Sequence, residues 1–357
     1  MGNLLGSPVL DKETHVGSTK SGLEFGVSSM QGWRVHMEDA HICEPTLYAG
    51  SSSHNTKVVE LKDHSLFAVF DGHGGSFAAD YSGLNLLRVL SRQDKFVQYA
   101  NFNQEREVKE AQLLLLDPKA RATYLQSGLL LLEGALRDAF VELDYEIFRA
   151  TRGHVEPDAN TPYHATTTTT QQPQPNPPTP NDDEDSGTTI VVVITTPHWI
   201  VCANAGDSRA VFSKQNNKAV PLSYDHKPDD EDELRRIRAA GGHVAGGRVE
   251  GDLAVSRGLG DYRFKVAATV LQGNTTPLTE TDDSIIIMKP DDQKVSPIPD
   301  IIVQNRSTEQ DEFIIVACDG IWDVQTNYEC VKMVADIFGE GETDLGLASE
   351  EVCLSWL

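Results

Sequence analysis

Two short acidic segments, Asp71-Gly72-His73-Gly74-Gly75 and Asp319-Gly320-Ile321-Trp322-Asp323, combine residue types that could do chemistry. Each Asp-Gly directly follows a strand-like apolar run, 66–70 before the first and 313–318 before the second. A strand end holds a carboxylate in a fixed place, and the neighbouring glycine lets a ligand approach the main chain. Carboxylates gathered in one place resist joint ionisation unless a cation neutralises them. The two segments therefore point to one site that takes hard divalent metal ions through oxygen.

Such a site needs elements that bring distant segments together. Strand patterning covers 25–29 and 66–70, and helical periodicity covers 77–92. A long helix is expected over 120–149, where Leu129, Leu132, Leu136, Phe140, Leu143 and Ile147 recur every three or four residues. Composition then changes abruptly. Residues 154–185 hold five consecutive threonines, several prolines and an acidic cluster, and read as a disordered insertion. Strand-like material resumes at 188–195, 198–204 and 210–213, with the short turns of an antiparallel meander. Residues 229–240 read as a charged helix ended by Gly241-Gly242, and 270–298 as a second, polar insertion. A buried strand is expected at 313–319 and a helix at 327–338. Strands and helices mix without a regular βαβ repeat, which predicts a layered α+β fold. Motifs lie on both sides of the first insertion, so the chain reads as one domain, 23–357, behind a flexible polar segment, 1–22.

The hydrophobic fraction of 39% suffices for a sizeable core. Asp and Glu number 54 against 30 Lys and Arg, a net charge of −24 that repels nucleic acid and anionic lipid. Cys43, Cys202, Cys318, Cys330 and Cys353 show no zinc spacing, and reduced thiols imply a cytoplasmic or nuclear setting. No apolar run reaches membrane-span length, and the N-terminus carries no signal-peptide pattern.

Read in order, the chain carries Arg34-x-x-x-Glu38-Asp39, the Asp71 segment, Ser186-Gly187-Thr188-Thr189, Asn204-Ala205-Gly206-Asp207-Ser208-Arg209, the stretch 253–261 ending in Asp261, and the Asp319 segment. This ordered set resembles the metal-dependent protein phosphatases, the type 2C serine/threonine class, over about 25–357. Residues 32–41 carry the most specific part of the resemblance. The resemblance implies a four-layer α-β-β-α sandwich of two antiparallel sheets flanked by helices. It implies hydrolysis of phosphoserine and phosphothreonine on proteins by metal-activated water, with Mn2+ or Mg2+ as cofactor: two ions and a weaker third. Asp71 matches the carboxylate that bridges the two ions, Gly72 a carbonyl ligand of the second and Asp319 a direct ligand of the first. Glu38 and Asp39 match groups acting through metal-bound water. Arg34 matches the phosphate-binding guanidinium and His73 the general acid. Asp207 and Asp323, with Asp319, match the weaker third site, and Asp261 belongs to the same acidic surround. The implied partners are phosphoprotein substrates of a monomeric enzyme, without nucleic acid.

Taken singly, several of these residues have simpler readings. Arg34 and Glu38 at helical spacing also suit a structural ion pair, and Asp207-Ser208 suits a hairpin turn. Cys318 lacks the Cys-x5-Arg loop of a thiol nucleophile. The family pattern also includes an aspartate ligand in an Asp-Asn pair after the last long helix, and this sequence contains no Asp-Asn. The chain is therefore expected to lack its C-terminal strands. A competing function follows: a truncated, catalytically weak or inactive protein that binds phosphoproteins on the same scaffold. Gly2 permits myristoylation, with the usual hydroxyl residue one place late at Ser7; a single acyl chain would give weak membrane association.

Overall fold

The computed structural model describes residues 4–50, 57–113, 115–151, 186–265 and 288–355. Its main sheet has five antiparallel strands. In spatial order these are β16 (Asp300–Asn305), β10 (Trp199–Ala205), β9 (Ile190–Thr195), β6 (Ser65–Phe70) and β3 (Ala40–Glu44). A second antiparallel sheet runs β12 (Lys218–Pro221), β11 (Arg209–Lys214), β17 (Asp311–Ala317).

Strand β9 is apolar without interruption from Ile190 to Ile194 because both of its faces are covered. Ile190, Val192 and Ile194 face a core shared with helices α1 (Phe77–Ser91) and α3 (Pro118–Ala150). Val191 and Val193, pointing the other way, pack with Phe212, Ile314 and Val316 of the second sheet. The opposite face of that sheet, through Val211, Phe313 and Ile315, is covered by helices α6 (Asp319–Trp322), α7 (Asn327–Gly339) and α8 (Leu345–Leu354). The result is the four-layer α-β-β-α sandwich. Helix α4 (Glu231–Ala239) supplies Ile237 to a separate small core with Val249, Leu253, Val255, Phe264 and Val295.

Local chemistry explains the helix ends. The side chain of Asp117 accepts from the backbone of Lys119 and Ala120, and Pro118 occupies the first turn of α3. Thr326 and Glu329 form a reciprocal capping box on α7. The buried face of α3 carries the six residues whose spacing predicts it.

Three elements differ from the expectations. Residues 4–18 are not loose: strand β1 (Leu4–Ser18) pairs antiparallel with β2 (Glu24–Arg34), from Leu4↔Arg34 to Ser18↔Glu24. Main-chain pairing holds β1, aided by Thr14 Oγ1 donating to Glu350 Oε1 of α8 at 2.8 Å, so its polar composition hides it. Helix α2 (Asp94–Leu113) is anchored by Phe96, Tyr99 and Ala100 on an otherwise polar helix. The stretch 288–298 is packed rather than a polar excursion, with Val295 and Ile298 buried. The insertion at 154–185, the remainder of 270–298 and Gly2 lie outside the described residues. Among the described residues no helix is long and apolar enough to cross a membrane.

His64, in the turn before β6, is buried and fixed at both ring nitrogens. Nδ1 lies 2.7 Å from Lys62 O and so carries the hydrogen; Nε2 accepts from Tyr99 OH at 2.8 Å. Burial pushes its pKa down to about 4. The unfolded chain takes up the proton near 6.5, so the folded state loses stability as pH falls through the window from 6.5 to 4. Denaturant unfolding at pH 7 and pH 4.5 should show a loss in wild type larger by about 2–3 kcal/mol than in His64→Gln. Parallel losses would remove His64 as the cause.

Candidate active site

The site is built where strands of the two sheets end. Asp71 follows β6, and Asp319 follows β17 and opens α6. Asp39 lies in the irregular stretch between β2 and β3. These carboxylates act directly on one another: Asp71 shares a hydrogen bond with Asp319 and feels the charges of Asp39, Asp319 and Asp207. Desolvation, then this mutual repulsion, raises the pKa of Asp71 well above the ordinary carboxylate range. Asp39 is raised to about 6, chiefly by desolvation; a hydrogen bond from the Cys318 thiol and the nearby Arg34 charge work against the rise. Asp319 is raised by desolvation and by the charges of Asp207 and Asp323.

A second group of residues converges through a three-stranded miniature sheet, β15 (Leu259–Gly260), β8 (Gly187–Thr188), β7 (Gly72–His73). Its register sets His73 against Gly187 and Gly187 against Gly260. His73 Nε2 then lies 2.9 Å from Asp261 Oδ2, with Asp261 buried. Burial alone would lower the pKa of His73, but the Asp261 carboxylate, with Asp207 and Glu38 behind it, raises it. Two glycines are required by space. A Cβ at Gly72 would sit 2.1 Å from Glu38 O, and one at Gly187 would sit 2.2 Å from Asp261 Oδ2 and 2.5 Å from His73 Nε2.

The remaining expected residues take distinct places. Glu38 Oε1 accepts from Gly75 N at 3.1 Å, and 35–39 is not helical, so the helical Arg34–Glu38 pair does not form. Arg34 ends β2, exposed, within reach of the Asp39 charge. Asp207 is buried in the turn from β10 to β11, where its Oδ2 accepts from Lys227 Nζ at 2.6 Å. Asp323 is exposed and caps α6, its backbone N–H donating to Asp319 O at 2.8 Å. Trp322 packs beneath, with Nε1 donating to Ala317 O. The geometry adds Lys227, which lies in none of the motifs, and the pair Thr189 Oγ1–Ser208 Oγ at 2.7 Å, whose residues the motifs contain without revealing that they meet.

Among the described residues no three His, Cys, Asp or Glu side chains already converge at ligand distance on one point. The chemistry of the donor set nevertheless fits a divalent cation. Asp39, Asp71 and Asp319 offer hard oxygens, and their raised pKa values mean that Arg34 and Lys227 leave the cluster's negative charge uncompensated. Divalent ions held by oxygens of this kind can activate water and neutralise developing negative charge.

Comparison with known proteins bears on that chemistry. Residues 23–355 match the family described as protein phosphatase 2C. Protein phosphatase 2C homolog 2 of Saccharomyces cerevisiae is 33% identical over 344 residues, which cover 96% of this chain and 56% of that protein. Protein phosphatase ppm-1.A of Caenorhabditis elegans is 35% identical over 336 residues, covering 94% of this chain and 56% of that protein. The chain thus spans just over half the length of these relatives. A crystal structure of serine-threonine phosphatase 2C from Toxoplasma gondii superposes with a TM-score of 0.59 at 20% identity, over 99% of this chain and 91% of the other; it shares the fold.

Removing one crowded carboxylate should relieve the repulsion. In EDTA, Asp71→Asn is expected to be more stable than wild type by about 1 kcal/mol, a Tm rise of about 2–4 °C. Added Mn2+ should raise the Tm of wild type by more than that of the variant. Equal Mn2+ shifts in the two proteins would show that Asp71 is not a ligand. Gly187→Ala should destabilise the fold by about 1–3 kcal/mol, measured by urea unfolding, because its Cβ enters the His73–Asp261 contact.

Proposed function

The chain belongs to the protein phosphatase 2C family, and on that premise we propose that it is a Mn2+- or Mg2+-dependent protein serine/threonine phosphatase. The family is metal-dependent, and its substrates are phosphoproteins. The observation that carries the proposal for this chain is the cluster of Asp39, Asp71 and Asp319 at strand ends, each with its pKa raised by desolvation. Asp71, Asp319 and the Gly72 carbonyl would hold two ions, with Glu38 and Asp39 acting at one remove. Asp207 and Asp323 would complete a weaker third position. The bound metal supplies Lewis acidity: it lowers the pKa of water and neutralises phosphoryl charge.

The protein's own groups do the rest. Arg34 binds the phosphate dianion with its planar fork. His73 holds a proton for the departing serine or threonine oxygen. Its Nε2 is committed to Asp261, which leaves Nδ1 to deliver that proton. Asp261 therefore serves His73 before it serves any ion. A net charge of −24 disfavours nucleic acid as a partner, and the enzyme is taken to act as a cytoplasmic monomer.

Release of phosphate from a phosphothreonine peptide with Mn2+ is the direct assay. Asp71→Asn is expected to lose about 100-fold or more in turnover while its circular dichroism is unchanged. A folded variant with wild-type turnover would contradict the assignment. Arg34→Ala should raise KM about 10-fold and change kcat by less than about 3-fold, as loss of a charge-assisted ground-state contact does. A fall in kcat with unchanged KM would assign Arg34 to the transition state instead.

A further inference from the structure

Below the His73–Asp261 contact lies a buried ion pair that has no place in the chemistry so far described. Asp144 is on helix α3 and Lys265 ends α5 (Tyr262–Lys265); both are buried. Lys265 Nζ donates to Asp144 Oδ1 at 2.7 Å and to Gly258 O at 2.9 Å. The same Oδ1 accepts from Gly260 N at 2.9 Å, and Tyr262 OH donates to Asp144 O. Gly260 is the residue immediately before Asp261.

We infer that Asp144 and Lys265 are positioning residues for the His73–Asp261 pair, acting through the main chain of 258–261. The inference rests on the reading of His73 as proton donor. Its first support is backbone conformation. Gly260 and Asp261 are successive left-handed residues, with φ of +78° and +55°. Such a conformation is costly at Asp261, which has a Cβ, and persists only where the surroundings fix it. On one side Asp261 N donates to Ser186 O at 3.1 Å. On the other, Asp144 pins Gly260 N and Lys265 pins Gly258 O. The peptide that aims the Asp261 carboxylate is thus clamped at both flanks.

The second support is energetic. Burying two charges costs several kcal/mol of desolvation, and an apolar pair of similar volume often stabilises a fold as well or better. What an apolar pair cannot supply is an acceptor for Gly260 N–H and a donor for Gly258 O in this geometry. The chemistry of the pair therefore matches a demand for position. A shift of the loop would separate Asp261 Oδ2 from His73 Nε2, and an error of about 1 Å in a catalytic group can cost about 100-fold in rate.

The test compares two substrates with Mn2+ present. A threonine alkoxide needs a proton as it leaves, whereas p-nitrophenolate leaves without one. In Asp144→Leu/Lys265→Met, which removes both charges together, kcat on a phosphothreonine peptide should fall about 10-fold further than kcat on p-nitrophenyl phosphate, with peptide KM within about 2-fold of wild type. Asp144→Asn/Lys265→Met, which restores the acceptor for Gly260 N–H but not the donor to Gly258 O, should recover part of the peptide turnover. Tyr262→Phe, which loses the hydroxyl contacts to Asp144 O and Oδ1, should show the same selectivity at about 3-fold and serves if the first variant does not fold. Equal losses on both substrates, or no recovery with asparagine, overturn the inference. His73→Gln, assayed alongside, separates the two readings: if it shows no preferential loss on peptide, the role of His73 falls; if it does and the Asp144 variants do not, the positioning role alone falls.

Discussion

The constraint on which everything else rests is electrostatic crowding. Asp39, Asp71 and Asp319 stand where desolvation and mutual repulsion both oppose ionisation. Flexible side chains on loops would splay apart into water. Here each lies at a strand end or beside one, and the strands belong to two sheets locked together by an apolar interior. Val191, Val193, Phe212, Ile314 and Val316 make that interior, so the packing of the sandwich is what keeps like charges together. On the proposed reading a divalent cation would offset the cost, which would couple metal binding to the stability of the junction between the sheets.

The same junction explains why small residues recur there. Gly72 lets the Asp71 strand end meet the Glu38 carbonyl, and Gly187 leaves just enough room for the His73–Asp261 contact. The miniature sheet of β7, β8 and β15 is only two residues wide per strand, too short to be stable alone. It persists because β7 continues from β6 and β8 leads into β9 of the large sheet, while the buried Asp144–Lys265 pair holds β15 through Gly260. The proposed proton donor His73 and its partner Asp261 thus sit on or beside elements whose rigidity comes from elsewhere.

The sequence makes the two-faced strands and the long helix legible because burial writes itself as apolar runs and three-to-four spacing. Ile190–Ile194 and the Leu129-to-Ile147 series are found where expected. Strand β1 is invisible because backbone pairing, unlike side-chain burial, leaves no compositional trace. Helix α2 is hidden by its polar surface, since three anchors suffice to dock it. At the site, Asp71 and Asp319 share a hydrogen bond although far apart in the chain, and no local pattern encodes that meeting. Other pairings are alike: Lys227 with Asp207, Asp261 with His73 and Lys265 with Asp144 depend on chain folding that no local pattern encodes.

On the proposed reading the crowded carboxylates would form a divalent-cation site held partly protonated until metal arrives. Calorimetric titration of Mn2+ into the protein in buffers of different ionisation enthalpy measures this directly, because a ligand with a raised pKa must shed its proton on binding. With Asp39 near 6 and Asp71 and Asp319 also raised, protons should be released on binding, and more of them at pH 6 than at pH 7.5. Binding with no proton release at either pH, or no saturable binding, would contradict the account.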